Sequence, residues 1–441
     1  MQEYFHNLAD TLSSLLRKNE IYTCSFSAED SDFVRFNRSA VRQAGTVTQR
    51  YLFLDLIEGL RHSGGSLSLS GDFELDRDRL ATLIERLREQ LPYLPEDPHL
   101  LYATEVCSTE HNGKNQLPED SSAIVAAIID AGRGRDLVGI YAAGGIYNGF
   151  ANSFGQRNWF SGYSYNFDWS FYLQKDKAVK TGYAGFVWDP AAFTQKVETA
   201  LEQFAVLNQE PRTIAPGRYR VYLTPTALAE IIGLLHWGGF GLKQHRTKQT
   251  TLLKMAEEGV RLHPTVSMTE NTRDGVAANF QADGFVKPDT VVLIDKGELR
   301  NCLVSPRSAK EYGVPTNGAD YGEMPESIDV AAGTVPTSEV LHQLDTGIYI
   351  NNLWYLNYSD RAACRITGMT RFATLWVENG TITAPLNVMR FDETLYRMLG
   401  DNLEGLTLER EFILDSGTYG ARSTSSSRVP GALVKDFTFT L

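Results

Sequence analysis

Apolar positions along the chain switch between a helical period and a period of two. Phe5, Leu8, Leu12, Leu15 and Leu16 recur at three- and four-residue spacing and predict an amphipathic first helix. Val34 and Phe36, then Leu52, Leu54 and Leu56 in "YLFLDLI", alternate with polar neighbours, and "SLSLS" at 66–70 alternates again after a turn signal at Gly64-Gly65. A small antiparallel sheet is expected there. Leu80, Leu83, Ile84, Leu87 and Leu91 share one face of a second helix, which the prolines of "LPYLPEDPH" end. A third helix, "SSAIVAAIIDAGR", starts at a serine pair and stops near Gly132. The aromatic run "GIYNGFANSFGQRNWFSGYSYNFDWSFYLQ" alternates like strands, and a helix over Phe193 to Leu207 follows it.

A polar stretch with Pro211 and Pro216-Gly217 then marks a boundary before the short strand "RYRVYL". Thr224 as N-cap and Pro225 at the first helical position predict the start of a further helix. Beyond 260 the pattern is mostly strand and turn, with hairpins expected at Lys296-Gly297 and Asn379-Gly380 and one short helix at about Thr394 to Leu399. "DSGTYGARSTSSSRVPG" reads as a Ser/Gly-rich loop before a last strand, "ALVKDFTFTL". The expected class is α+β in two domains. Residues 1–210 form an N-terminal α/β domain with an antiparallel sheet, and 211–441 a β-rich C-terminal domain.

Composition changes this picture little. With 441 residues, two cores are the default, and 42% hydrophobic with 22% charged residues is ordinary for a globular protein. A net charge of −12 opposes direct contact with nucleic acid or anionic lipid. The amino-terminal segment lacks a basic-then-apolar export signal and no long apolar run occurs, so a cytoplasmic protein away from membranes is expected. Cys24, Cys107, Cys302 and Cys364 lie far apart with no CxxC pair, and read as reduced packing thiols.

The segment richest in candidate chemistry is "EIIGLLHWGGFGLKQHR", Glu230 to Arg246. A zinc-peptidase helix sets two histidines on one face with a glutamate beside the first as general base. His236 and His245 stand nine residues apart. At about 100° per residue they would project from opposite sides, and Gly238, Gly239 and Gly241 break the helix in any case. Glu230, six residues before His236, is expected on a different face. "GGIYNG" and "HWGGFG" lack the lysine and order of a phosphate loop. Ser423 to Ser427 lack the nucleophile-elbow pattern and read as a solvated loop, and His62 and His263 read as turn residues. Tyr147 to Tyr172 are explained by a strand-rich core, with an apolar lining for an extended peptide as the functional alternative.

Several stretches together resemble the TldD/PmbA family, a peptidase family also labelled modulators of DNA gyrase. In the first half these are "FVRFNRSAVRQAGTVTQRYLFLDLIEGLRHSGGSLS" and "ANSFG". In the second they are "APGRYRVYLTPTALAEIIGLL", "FQADGFVKPDTVVLIDKGELRNCLVSPRSAKEYG" and "WVENGTITAPL". The resemblance implies a TldD-like subunit type, with an HExxxH helix and a later cysteine as zinc ligands, and a PmbA or TldE-like type that keeps the fold without them. Here the helix reads "AEIIGLLHWGGFG", and Leu353 falls about where the cysteine would stand. The chain therefore looks like the PmbA type.

This resemblance implies a non-catalytic subunit with no catalytic residue, metal ligand or cofactor of its own. Zinc would reside in a TldD-like metallopeptidase partner, and the pair would degrade or mature unfolded peptide. The expected assembly is that heterodimer, or a homodimer. His236, Asn352, Asn152 and Ser153 are the candidate peptide-groove positions. Two alternatives stay open: an independent hydrolase with a non-standard site near His236, and a homodimeric binding protein that modulates a partner such as DNA gyrase.

Overall fold

Two antiparallel-rich sheets, built from separate halves of the chain, organise the protein in a computed structural model that describes residues 1–174 and 177–440. The first sheet uses β1 (Ile21–Asn37), β2 (Ala40–Glu58), β3 (Arg61–Ser68), β4 (Glu110–Asn112), β5 (Asp136–Asn152), β6 (Arg157–Gln174) and β7 (Lys177–Gly185). Its order is β3-β2-β1-β5-β6-β4, with β7 also paired to β6. Helices α1 (Gln2–Leu15) and α2 (Phe73–Gln90) cover one region of it. Phe5, Leu8 and Leu12 of α1 and Leu80, Ile84 and Leu87 of α2 meet Phe26, Leu52, Leu54 and Leu56 there. Helices α3 (Ser122–Ala131) and α4 (Pro190–Leu207) bury Ile124, Ile128, Phe193 and Val197 against Phe167, Trp169 and Phe171. The aromatic segment thus supplies a packed core.

Gly64 and Gly65 do not form a turn. They lie inside β3, and the chain reverses earlier, at Gly59, which takes φ 64°. These glycines answer a packing need: a Cβ on Gly64 would come within 2.7 Å of the Phe53 ring, and one on Gly65 within 2.9 Å of Leu83 on α2. His62 is likewise a strand residue, its Nδ1 3.0 Å from Asp55 Oδ2. Turn chemistry and close packing both select glycine, and sequence alone does not separate them.

The second sheet is built from β8 (Gly217–Leu223), β9 (Met268–Asn271), β10 (Thr290–Asp295), β11 (Glu298–Leu299), β12 (Ser327–Val330), β13 (Gly347–Asp360), β14 (Arg365–Glu378), β15 (Thr381–Pro385), β16 (Arg390–Thr394), β17 (Leu403–Leu414) and β18 (Ser426–Phe439). Its path is β11-β10-β9-β12-β18-β16-β14-β13-β8, and β18 also pairs with β8, so β18, β16, β14, β13 and β8 close on themselves. Helix α5 (Pro225–Gly233) packs Ala227, Leu228, Ile231 and Ile232 into the core of this arrangement. The hairpins at Lys296-Gly297 and Asn379-Gly380 occur as expected, with positive φ at all four residues. The short helical segment follows directly on Thr394, which ends a strand: Leu395 and Tyr396 are helical and lead into the turn Arg397–Asp401. Among the described residues no helix is long and apolar enough to cross a membrane.

Candidate functional site

Thr224 sets the site's geometry. Its Oγ1 accepts from the Ala227 N–H at 3.2 Å and donates to the Asn351 carbonyl at 2.7 Å, so one hydroxyl caps α5 and ties it to β13. Such a cap contributes about 1 kcal/mol. With the apolar face of α5 committed to the core, the remaining stripe of Thr226, Ala229, Glu230 and Gly233, at i, i+3, i+4 and i+7, faces a cavity of about 340 Å³. That cavity lies where the two sheets meet.

His236 faces the same cavity, contrary to the expectation that Glu230 and His236 lie on different faces. After Gly233 the helix tightens into a 3₁₀ turn, Leu234–His236. At about 100° per residue the two side chains would diverge by about 120°, and three steps of about 120° reduce this to about 60°. Gly238, at φ 88°, then breaks the helix, and a separate short helix α6 (Leu242–Arg246) carries His245 elsewhere. His245 Nε2 lies 2.8 Å from the Gly239 carbonyl oxygen, where it braces the loop.

Glu230 is the most perturbed group in the cavity. Its Oε2 accepts from the Leu353 N–H at 2.8 Å, and burial pushes its carboxyl up to about 7, with Lys180 and Asn352 partly offsetting that effect. Burial also holds the His236 imidazole below its ordinary value, and its Nε2 is buried with no partner. Asn352 is 1% exposed. Its Oδ1 accepts from Asn351 Nδ2 at 2.9 Å, and its own Nδ2 lies beside the Glu230 carboxylate without completing a hydrogen bond. Asp168 and Lys180 approach from the first sheet as a pair 3.7 Å apart, and burial raises the Asp168 carboxyl.

Two strand segments line the cavity continuously: Lys180 to Ala184 of β7, and Glu411 to Leu414 of β17 running on to Ser416. Over these segments, among the described residues, β7 pairs with β6 and β17 with β18 and neither pairs with a further strand, so each leaves one edge without a strand partner there. Strand edges of this kind accept an added extended chain through backbone hydrogen bonds.

Of the four candidate groove positions, His236 and Asn352 meet at this cavity. Asn152 and Ser153 sit apart, at the turn between β5 and β6. The fully buried Asn152 donates to the Ala103 carbonyl and accepts from the Phe154 and Gln156 N–H groups, while Ser153 Oγ accepts from the Tyr22 N–H. These contacts fix a turn. Asp168, Lys180, Asp415 and the Ser425–Ser427 segment also line the cavity, and sequence reasoning did not find them. Ser426, read as part of a solvated loop, is 5% exposed and begins β18.

A zinc ion does not fit this donor set. Catalytic zinc takes three protein ligands, and among the described residues no three His, Cys, Asp or Glu side chains lie close enough together to hold a metal. Leu353 turns its side chain into the apolar core at 2% exposure, so it offers the cavity only its backbone.

A family model for the PmbA/TldA metallopeptidase C-terminal domain matches residues 216–441. No curated protein matches the chain. A Thermotoga maritima structure described as a candidate modulator of a DNA gyrase is similar at TM-score 0.77 and 14% identity, over 99% of this chain and 100% of that one. TldE from Thermococcus kodakarensis is similar at TM-score 0.77 and 13% identity, covering 99% and 100%. A Bacteroides thetaiotaomicron protein, also described as a candidate gyrase modulator, reaches TM-score 0.73 and 15% identity, covering 99% and 98%. At these identities the structures establish a shared fold, while the family model covers just over half of the chain, and the chain belongs to the TldD/PmbA family.

Proposed function

We propose that this chain is a non-catalytic, TldE-like subunit of a cytoplasmic TldD/PmbA peptidase, which pairs with a zinc-bearing TldD-like subunit and helps it process unfolded peptide. The observation that carries this reading is the cavity against α5: two strand edges without a strand partner line it, and among the described residues its Glu230, His236 and other carboxylates are not grouped closely enough to hold a metal. Strand-edge binding is tolerant of sequence and demands an extended ligand, which suits unfolded chains. The division into domains at about residue 210 accords with this role, because strands from both halves line the cavity. The test is hydrolysis of an unstructured peptide by the purified chain alone and after mixing with a family member that carries HExxxH. The lone chain is expected to be inactive and the mixture active with both chains in one complex.

A second reading has one specific observation behind it. Glu230, with its carboxyl at about 7, shares a cavity with an unpartnered imidazole, an arrangement compatible with acid–base work in an independent hydrolase. Hydrolysis by the lone chain that disappears in His236→Ala would favour this reading over the first.

A further inference from the structure

The peptide-binding reading can be taken a step further, because the cavity's polar groups are not neutral toward which part of a peptide they hold. Among the described residues Asp168, Glu230, Glu411 and Asp415 line it against one lining cation, Lys180. Lys180 stands beside Asp168, and Lys196 pairs with Glu411. Glu230 has no ion-pair partner among the described residues; its geometric hydrogen bond comes from the Leu353 N–H.

The independent observation is Asn352. It is 1% exposed, lines the cavity, has its Oδ1 occupied by Asn351, and holds its Nδ2 donor beside the Glu230 carboxylate without completing a hydrogen bond. A buried unsatisfied donor costs about 1–3 kcal/mol, which a ligand carbonyl would relieve. Asn352 is adjacent in sequence to Leu353, whose N–H orients the Glu230 carboxylate. A fitting ligand therefore brings a cation and a carbonyl acceptor close together.

We propose that this cavity captures a primary ammonium of an extended peptide, at its amino terminus or on a lysine side chain, with Glu230 receiving the ammonium and Asn352 Nδ2 donating to a nearby peptide carbonyl. This inference rests on the peptide-binding reading. At an amino terminus the two groups sit on one residue. On a lysine the carbonyl comes from the backbone, at the end of a flexible stem.

The test is fluorescence anisotropy with the full chain and short, unstructured peptides labelled at the carboxyl end. One has a free amino terminus and no lysine, one is N-acetylated without lysine, and one is N-acetylated with an internal lysine. At least one ammonium-bearing peptide is expected to bind about tenfold tighter or more than the acetylated, lysine-free one, as a charge-assisted hydrogen bond implies. Which of the two gains identifies the source of the ammonium. Glu230→Gln keeps an oxygen for the Leu353 N–H, so it should fold and erase the difference. Asn352→Ala should weaken binding of the preferred peptide several-fold. Equal binding of all three peptides overturns this inference and leaves the peptide reading standing, whereas no binding of any peptide overturns both. A preference that survives Glu230→Gln also overturns the assignment.

Discussion

Glu230→Gln is expected to raise the melting temperature at about pH 8 and leave it nearly unchanged at about pH 4. The Glu230 carboxyl titrates at about 7 in the folded chain, against an ordinary value of 4.5, because burial disfavours its ionised form. Between those values the folded chain still holds a proton that the unfolded chain has released. Stability therefore falls as pH rises through this window and is level above it. The gap corresponds to about 3 kcal/mol of destabilisation above the window. Removing it amounts to a rise of about 3–6 °C, depending on how much of the chain unfolds as one unit. Thermal melts of both proteins from acid to mildly alkaline pH would show the two curves diverging across the window. Parallel curves would mean that the Glu230 carboxyl ionises freely in the folded state, and the account of the cavity as a poorly solvated site would fail.

Arg422→Ala should produce the other large effect, about 3 kcal/mol of lost stability together with faster proteolysis of the loop between β17 and β18. Arg422 is 8% exposed although it lies in a segment of surface-like composition. Its Nη1 donates to the Gly144 carbonyl at 3.2 Å and Ser31 Oγ at 3.4 Å, and its Nη2 to the Ser164 carbonyl at 2.9 Å and Ser164 Oγ at 2.7 Å. Its backbone N–H donates to Glu29 Oε2 at 3.2 Å, and Gln49 Nε2 holds the Gly420 carbonyl at 2.7 Å. One guanidinium thus ties the second half's loop to three strands of the first sheet, and that loop leads directly into Ser425–Ser427 at the cavity. Alanine would strand the buried carbonyls and leave a void. Lysine, lacking the planar fork, should recover only part of the loss. Limited proteolysis would detect the freed loop near the fully exposed Tyr419. Unchanged cleavage and melting would show that the halves are held together elsewhere.

What could be read from sequence was what local chemistry determines. Thr224-Pro225 started a helix because the hydroxyl cap and the fixed proline φ act within one turn. Lys296-Gly297 and Asn379-Gly380 made hairpins because positive φ is needed at the turn itself. Gly64-Gly65 misled because the requirement they meet, room for Phe53 and Leu83, comes from residues that are not their neighbours in sequence. The candidate site divided along the same line. His236 and Asn352, expected as groove positions, both line the cavity, whereas Glu230 was set aside on ideal helical spacing, which the 3₁₀ turn after Gly233 does not obey. Asp168, Lys180 and Ser426 come from strands of both sheets that meet only on folding, so no spacing rule could have joined them to Glu230.

In the proposed complex the zinc chemistry resides outside this chain. The most direct measurement is metal analysis of the purified chain, alone and in complex with an HExxxH-bearing family member, both after equilibration with zinc and removal of the free ion. Only trace zinc is expected on the lone chain and stoichiometric zinc in the complex, lost when the partner's histidines are replaced. Stoichiometric zinc on the lone chain, removed by His236→Ala, would contradict this proposal.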